Sequence, residues 1–292
     1  MTVPGRSGGS DEPTPPGIPT RPDEHTPPDE PTPPDELGRV DRLIGLERGE
    51  IGDRVVGRIA VADHTRAPAT GGLRSGVLLT AVDAVGGLAC GLASLPAWIV
   101  STNLMVVVAH LDHVGPLRLD ATLLRKGSAA AVAAVEARDE GAGDRRVAHG
   151  LLTTAVLEPA AGPPPLNRPV RLVPQPLAAP PGSLERAFGI DPGTGPVTTL
   201  QLRDDLRNRW GILHGGAIAV LADVAAERAA GGGTAADAVL HYLRPARTGP
   251  VEARAVASGR RRDMTVVTVS IHDLGHDGRQ VALASVSVRG PA

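Results

Sequence analysis

The sequence predicts an α+β fold built twice over, each half a run of antiparallel strands around one buried helix. Three observations predict it: an internal repeat, an apolar helix near the start of each copy, and period-two strands after each helix. The repeat is gapless at its core. Gly71-Gly-Leu-Arg-Ser-Gly-Val-Leu-Leu-Thr-Ala-Val-Asp83 lies over Gly211-Ile-Leu-His-Gly-Gly-Ala-Ile-Ala-Val-Leu-Ala-Asp223, with Gly71 on Gly211, Gly76 on Gly216 and Asp83 on Asp223. After a short length difference Gly115-Pro116 falls on Gly249-Pro250, and Val132, Val135 and Val147 fall on Val266, Val269 and Val281. The two copies span roughly 55–157 and 196–288.

Taken in order, each copy opens on a short alternating strand, Val55–Val61 and Val197–Leu202, followed by a Gly-rich turn. A helix comes next, about Val77–Leu92 and Ala217–Ala230. It is apolar nearly all round and so belongs inside its own sheet. Alternating strands close the copy; in the second they read Ala238–Leu243, Val251–Gly259, Thr265–Asp273 and Gln280–Arg289. One helix among sequential strands implies an antiparallel sheet. The apolar run 76–100 is long enough to raise a membrane span. Asp83, several glycines, Pro96 and the match to a plainly amphipathic second copy argue against it.

The flanks differ from the copies. Residues 1–36 are Pro, Thr, Asp, Glu and Gly with near-repeats of Thr-Pro-Pro-Asp-Glu, too poor in apolar surface to offset ordering, and are expected to be a disordered tail. Residues 159–182 are dense in proline and read as an extended linker between an amino-terminal unit, 37–158, and a carboxy-terminal unit, 183–292.

Charge and cysteine narrow the function. A formal net charge of −2 gives nothing that draws the whole chain to nucleic acid or an anionic membrane. The one cysteine, Cys90, rules out an intrachain disulfide and a multi-cysteine metal site; it fits a reducing cytoplasm and reads as a buried, inert thiol. His110 and His113 flank Asp112, but before Gly115-Pro116 they read as a turn rather than a metal site.

The second copy's turn, Asn208-Arg-Trp-Gly211-Ile-Leu-His214-Gly215-Gly216, followed by Asp223, carries the chemistry. Gly215 and Gly216 sit where the backbone enters a helix, so free N–H groups and the positive end of the dipole can polarise a carbonyl and hold an oxyanion. An Asp inside an apolar helix is costly without a purpose and can serve as a general base or nucleophile. Asp223 is eight residues past Gly215, about 12 Å along a helix at ~1.5 Å per residue, too far for both to serve one carbonyl. Donor and carboxylate at one site therefore come from different copies.

The Asn-x-x-Gly-x-x-His-Gly-Gly…Asp pattern, here Asn208, Gly211, His214, Gly215, Gly216 and Asp223, resembles that of the PaaI-like acyl-CoA thioesterases of the hot-dog superfamily. The resemblance covers the second copy and, more weakly, the first. It implies a double hot-dog, two tandem antiparallel sheets each wrapping a central helix and related by a pseudo-two-fold. It also implies that the acidic residue crosses between copies, that the His orients the loop and thioester, and that a Ser or Thr on the strand after the helix accompanies the Asp. Counting back from the following turn puts Ser101 or Thr102 there.

Two unequal sites follow. One joins Asn208, His214 and Gly215 to Asp83 and Ser101 or Thr102. The other joins Asp223 to Pro68, Arg74 and Ser75 in the places of Asn208, His214 and Gly215, with about Ala235 at the strand position, and reads as derelict. Arg260, Arg261 and Arg262 read as a charged turn or as a clamp for CoA phosphates. The expected activity is hydrolysis of an acyl-CoA without metal or redox cofactor, CoA entering as part of the substrate. A non-catalytic acyl-CoA sensor is the rival, and a hydratase lacks its His and acidic settings. Open sheet edges make a homo-oligomer of double hot-dogs an expectation.

Overall fold

The structure, a computed structural model, describes residues 39–158, 182–191, 193, 197–208 and 210–290. The expected tail and nearly all of the expected linker lie outside them.

The first half runs α1 (Arg39–Ile44), β1 (Leu46–Ile51), β2 (Arg54–Ile59), α2 (Ser75–Ser94), β3 (Trp98–Val108), β4 (Leu117–Lys126), β5 (Ala130–Asp139) and β6 (Arg145–Leu157). The second repeats it with α3 (Leu184–Ala187), β7 (Ile190–Asp191), β8 (Val197–Leu200), α4 (Gly215–Ala229), β9 (Thr234–Tyr242), β10 (Val251–Arg261), β11 (Met264–Asp273) and β12 (Arg279–Arg289). Each helix expected from the sequence is present, α2 starting two residues early because its Gly-rich entry is already helical. The opening pairs α1–β1 and α3–β7 had no alternating signal and were not expected. Strand β9 also starts earlier than expected, at Thr234, directly after Gly231-Gly-Gly233.

The strands form one sheet, not two. Its order is β1-β2-β4-β5-β6-β3-β9-β12-β11-β10-β8-β7, with every pairing antiparallel. The halves join where β3 meets β9, from Asn103↔His241 to Val106↔Ala238. This corrects the expectation of two separate sheets: the β3 and β9 edges complete each other's hydrogen bonding, so neither is left open at the seam. The remaining edges are β1 and β7.

Inside the sheet's curve lie α2 and α4, in contact with each other. Eighteen of the twenty residues of α2 are buried, which explains a helix apolar enough in length and composition to cross a membrane yet packed in a core. The helices approach closely because Gly76 and Gly216 are small; a Cβ on Gly216 would lie 2.3 Å from Thr80 Cγ2. The Thr80 hydroxyl lies 2.8 Å from the Gly76 carbonyl and 3.0 Å from that of Gly216, linking the two.

The halves correspond in detail. Asp139 accepts hydrogen bonds from the Val114 and Gly115 N–H groups, and Asp273 from those of Arg247, Thr248 and Gly249. Past the helices the correspondence is a constant 134 residues, which matches Ser101 with Ala235, Val108 with Tyr242 and Trp98 with Gly232.

Candidate active site

The turn before α4 is built around Asn208. Its Oδ1 accepts from the Trp210 N–H at 2.9 Å and from the Ile212 N–H at 3.4 Å, and its own N–H reaches the Ile212 carbonyl. Asn208 thus holds the loop in shape and presents Trp210. In the first half the matching bond runs from the Ala67 N–H to the Gly72 carbonyl, so Ala67 stands in the place of Asn208. Pro68 does not, because the first loop has one more residue between its bridges Arg66↔Leu73 than the second has between Arg207↔Leu213. Alanine offers no side-chain acceptor; further along this loop the Leu73 N–H goes to His113 Nδ1 at 3.0 Å, where its counterpart, the Leu213 N–H, goes to the Ala246 carbonyl. That bond gives the expected turn histidine a structural task.

His214 caps α4. Its Nδ1 accepts from the Gly216 N–H at 3.0 Å, so in the neutral ring the proton sits on Nε2. The carbonyl of the same peptide, Gly215 O, accepts from the Tyr242 hydroxyl at 3.2 Å. The Gly215–Gly216 peptide is therefore clamped at both ends. As first residue of α4, Gly215 has an N–H with no acceptor within the helix.

Asp83 comes to this turn from the other half. A Cβ on Gly215 would lie 2.9 Å from Asp83 Oδ2 and 3.3 Å from the Tyr242 hydroxyl, so only glycine fits. Ser101 donates to Asp83 Oδ1 at 2.6 Å. Thr102 does not take part: β3 bulges between Ser101 and Asn103, and the Thr102 hydroxyl turns to the Thr153 carbonyl at 3.0 Å. Burial raises the Asp83 carboxyl above the usual carboxylate range, against the pull of His214 and the Ser101 hydroxyl. Burial also pushes the Cys90 thiol up to about 11, which leaves it inert.

Tyr242 is the functional residue that the sequence reading missed. It is the chain's single tyrosine, at the end of β9 and far in sequence from the turn motif. Burial, then Asp83, raise its hydroxyl well above the usual tyrosine value, so it stays a donor.

The counterpart site is assembled differently. Arg74, capping no helix N–H, turns its guanidinium to Glu185, to Glu227 at 2.8 Å and to Asp223 at 3.4 Å. Ser75 donates to the Ala235 carbonyl, and Val108 replaces Tyr242. One cation faces three carboxylates. Burial would depress Arg74, but Asp223, Glu227 and Glu185 together hold it above its ordinary range. Burial, then Asp223, pushes Glu227 up to about 8, and burial raises Asp223 as well. A cavity of about 790 Å³ opens beside this cluster, with Ala69, Arg74, Glu185, Glu227 and Gly232 in its lining.

Arg260, Arg261 and Arg262 do not reach Asp83. The register runs Arg261↔Met264↔Arg289↔Thr234, placing the hairpin at the Thr234 end of β9. Gly215 lies at the Tyr242 end, eight residues along the strand (242 − 234) and about 26 Å away at ~3.3 Å per residue. The three arginines are therefore not part of the Asp83 centre itself, and a role on CoA phosphates stays an expectation.

Comparison with known proteins agrees with this architecture. Residues 211–278, within the second half, match the model of the thioesterase superfamily. Among solved structures, the tesB protein of Mycobacterium avium subsp. paratuberculosis superposes with a TM-score of 0.58 at 12% identity, covering 87% of this chain and 100% of that one. The 12:0-ACP thioesterase of Umbellularia californica gives 0.53 at 13% identity, covering 82% and 94%. Both likenesses concern the fold. No curated protein sequence matches the chain.

Proposed function

We propose that the chain is a tandem double hot-dog that hydrolyses an acyl-CoA thioester at one composite site between its halves. The observation that carries this reading is the Asp83 carboxylate, from the first half, against the α4 N-terminus of the second, with Ser101 bonded to it. Gly215 N–H polarises the thioester carbonyl and holds the oxyanion. Asp83, made more basic by burial, takes a proton from the attacking water while its oxygen bonds to the carbonyl carbon. The tetrahedral intermediate then collapses, the C–S bond breaks, and the proton passes from Asp83 to the departing thiolate. His214 and Asn208 hold the turn, and Ser101 fixes the carboxylate.

Asp83→Asn should lower kcat on acyl-CoA by about 10²–10⁴-fold with the melting temperature little changed, whereas Asp223→Asn should keep most of the activity. The reverse pattern refutes the assignment. Calorimetry on the same proteins addresses the sensor alternative, which the loss of chemistry at Asp223 favours: tight acyl-CoA binding by the wild type without turnover would establish it.

A further inference from the structure

We propose that Trp98 and Trp210 close the acyl pocket beside Asp83 and restrict it to short acyl groups. The inference rests on the thioesterase reading and deepens it. These are the chain's only two tryptophans. One begins β3 in the first half, three residues before Ser101; the other stands in the second half's turn, two residues past Asn208. Their rings meet across the seam with centroids 4.1 Å apart and planes inclined at 55°. Both are half-buried. Asn208 Oδ1 fixes the Trp210 backbone, which gives the motif asparagine a reason to be beside the reacting centre.

The repeat supplies the control. Around Asp223 the place of Trp98 is taken by Gly232, and that of Trp210 by the Ala69–Thr70 stretch of the longer loop. Ala69 and Gly232 line the cavity of about 790 Å³, a volume in the range of ordinary ligand pockets. The same scaffold thus leaves an open cavity where these positions are small, and the repeat puts the two indoles at the corresponding positions on the Asp83 side. A pocket shortened in this way accommodates an acyl chain only until it meets the rings. The first methylene to reach the rings must displace an indole and forfeit its packing, a discrimination of about 10–200-fold.

The test installs the counterpart residues. Trp98→Gly, Trp210→Ala and the double variant are assayed with straight-chain acyl-CoAs from acetyl to palmitoyl, and the long-to-short ratio of kcat/KM is compared within each protein. That ratio should rise at least about tenfold, or ~1.4 kcal/mol, and most in the double variant. An unchanged ratio overturns the proposal. Trp98→Leu and Trp210→Leu keep an apolar wall and serve if the smaller variants unfold; they should shift the ratio in the same direction by less. A second readout does not need turnover. Indole emission of the Asp83→Asn protein, followed during titration with the same acyl-CoAs, should change with chain length. Emission indifferent to bound acyl-CoA would overturn the wall. If no thioester is hydrolysed by the wild type, yet affinities weaken with chain length and the Gly and Ala variants relieve this, the wall stands and the thioesterase reading falls.

Discussion

The Asp83 and Asp223 sides of the molecule share one backbone plan and differ in what meets the buried carboxylate. Asp83 lies against Gly215 at the α4 N-terminus and accepts from the Ser101 hydroxyl, while His214 and Tyr242 bond to the same turn. Asp223 meets an arginine shared with Glu185 and Glu227. The first arrangement leaves a carboxylate partnered by one hydroxyl beside a free helix terminus. In the second, the Arg74 side chain stands in the place of His214 and pairs with the carboxylates. Two buried acids in matching places thus have different surroundings, and the neighbouring cap decides whether the acid faces a helix N-terminus or a cation.

Three predictions probe that difference, taken from the largest expected effect to the smallest. Arg74→Ala removes the cation that the three carboxylates share. Breaking a buried pair from one side leaves uncompensated charge, so chemical denaturation at pH 9, where Glu227 has released its proton, should show a loss of about 3–5 kcal/mol. A loss near zero would mean that the acids are already neutral without Arg74. Glu227 sharpens the point through pH. Its folded value of about 8 lies above its ordinary 4.5, so between these pH values the folded protein holds a proton that the unfolded chain has released. Stability from this group thus falls as pH rises through that window and levels off above about 8. Melts of Glu227→Gln from pH 4.5 to 9 should lack that decline and exceed the wild type at pH 9. Parallel curves for the two proteins would contradict the assignment. Smallest is Tyr242→Phe, which releases one end of the Gly215–Gly216 peptide at a cost of about 1 kcal/mol. Activity should fall roughly fivefold in kcat with KM retained, while a KM effect alone would make Tyr242 a substrate contact.

Much of this was legible in the residues. Helix rise excluded Asp223, eight residues past Gly215, and the repeat with its implied pseudo-two-fold then named Asp83. Ser101 was found only as one of two candidates, since a β-bulge at Thr102 decides which hydroxyl faces inward and bulges carry no composition signal here. The Ala67 correspondence was missed because a one-residue insertion between Arg66 and Leu73 is invisible to a gapless overlay. Tyr242 was missed because it meets the turn through the fold, 27 residues along the chain from Gly215. The seam pairing of β3 with β9 was missed too, since period-two alternation says which face a residue takes and not which strand lies beside it. Alternation likewise gave Arg260–Arg262 a hairpin but no distance from Asp83.

That seam has a consequence of its own. An assembly of two identical subunits receives every substitution twice, once at each symmetry-related centre, so an arginine that silences one centre silences both. Here the partners are different stretches of one polypeptide, joined through the main-chain ladder from Asn103↔His241 to Val106↔Ala238. A change such as Arg74 in the place of His214 is felt once, so one of the two composite centres is free to become scaffold while the residues of the other are kept.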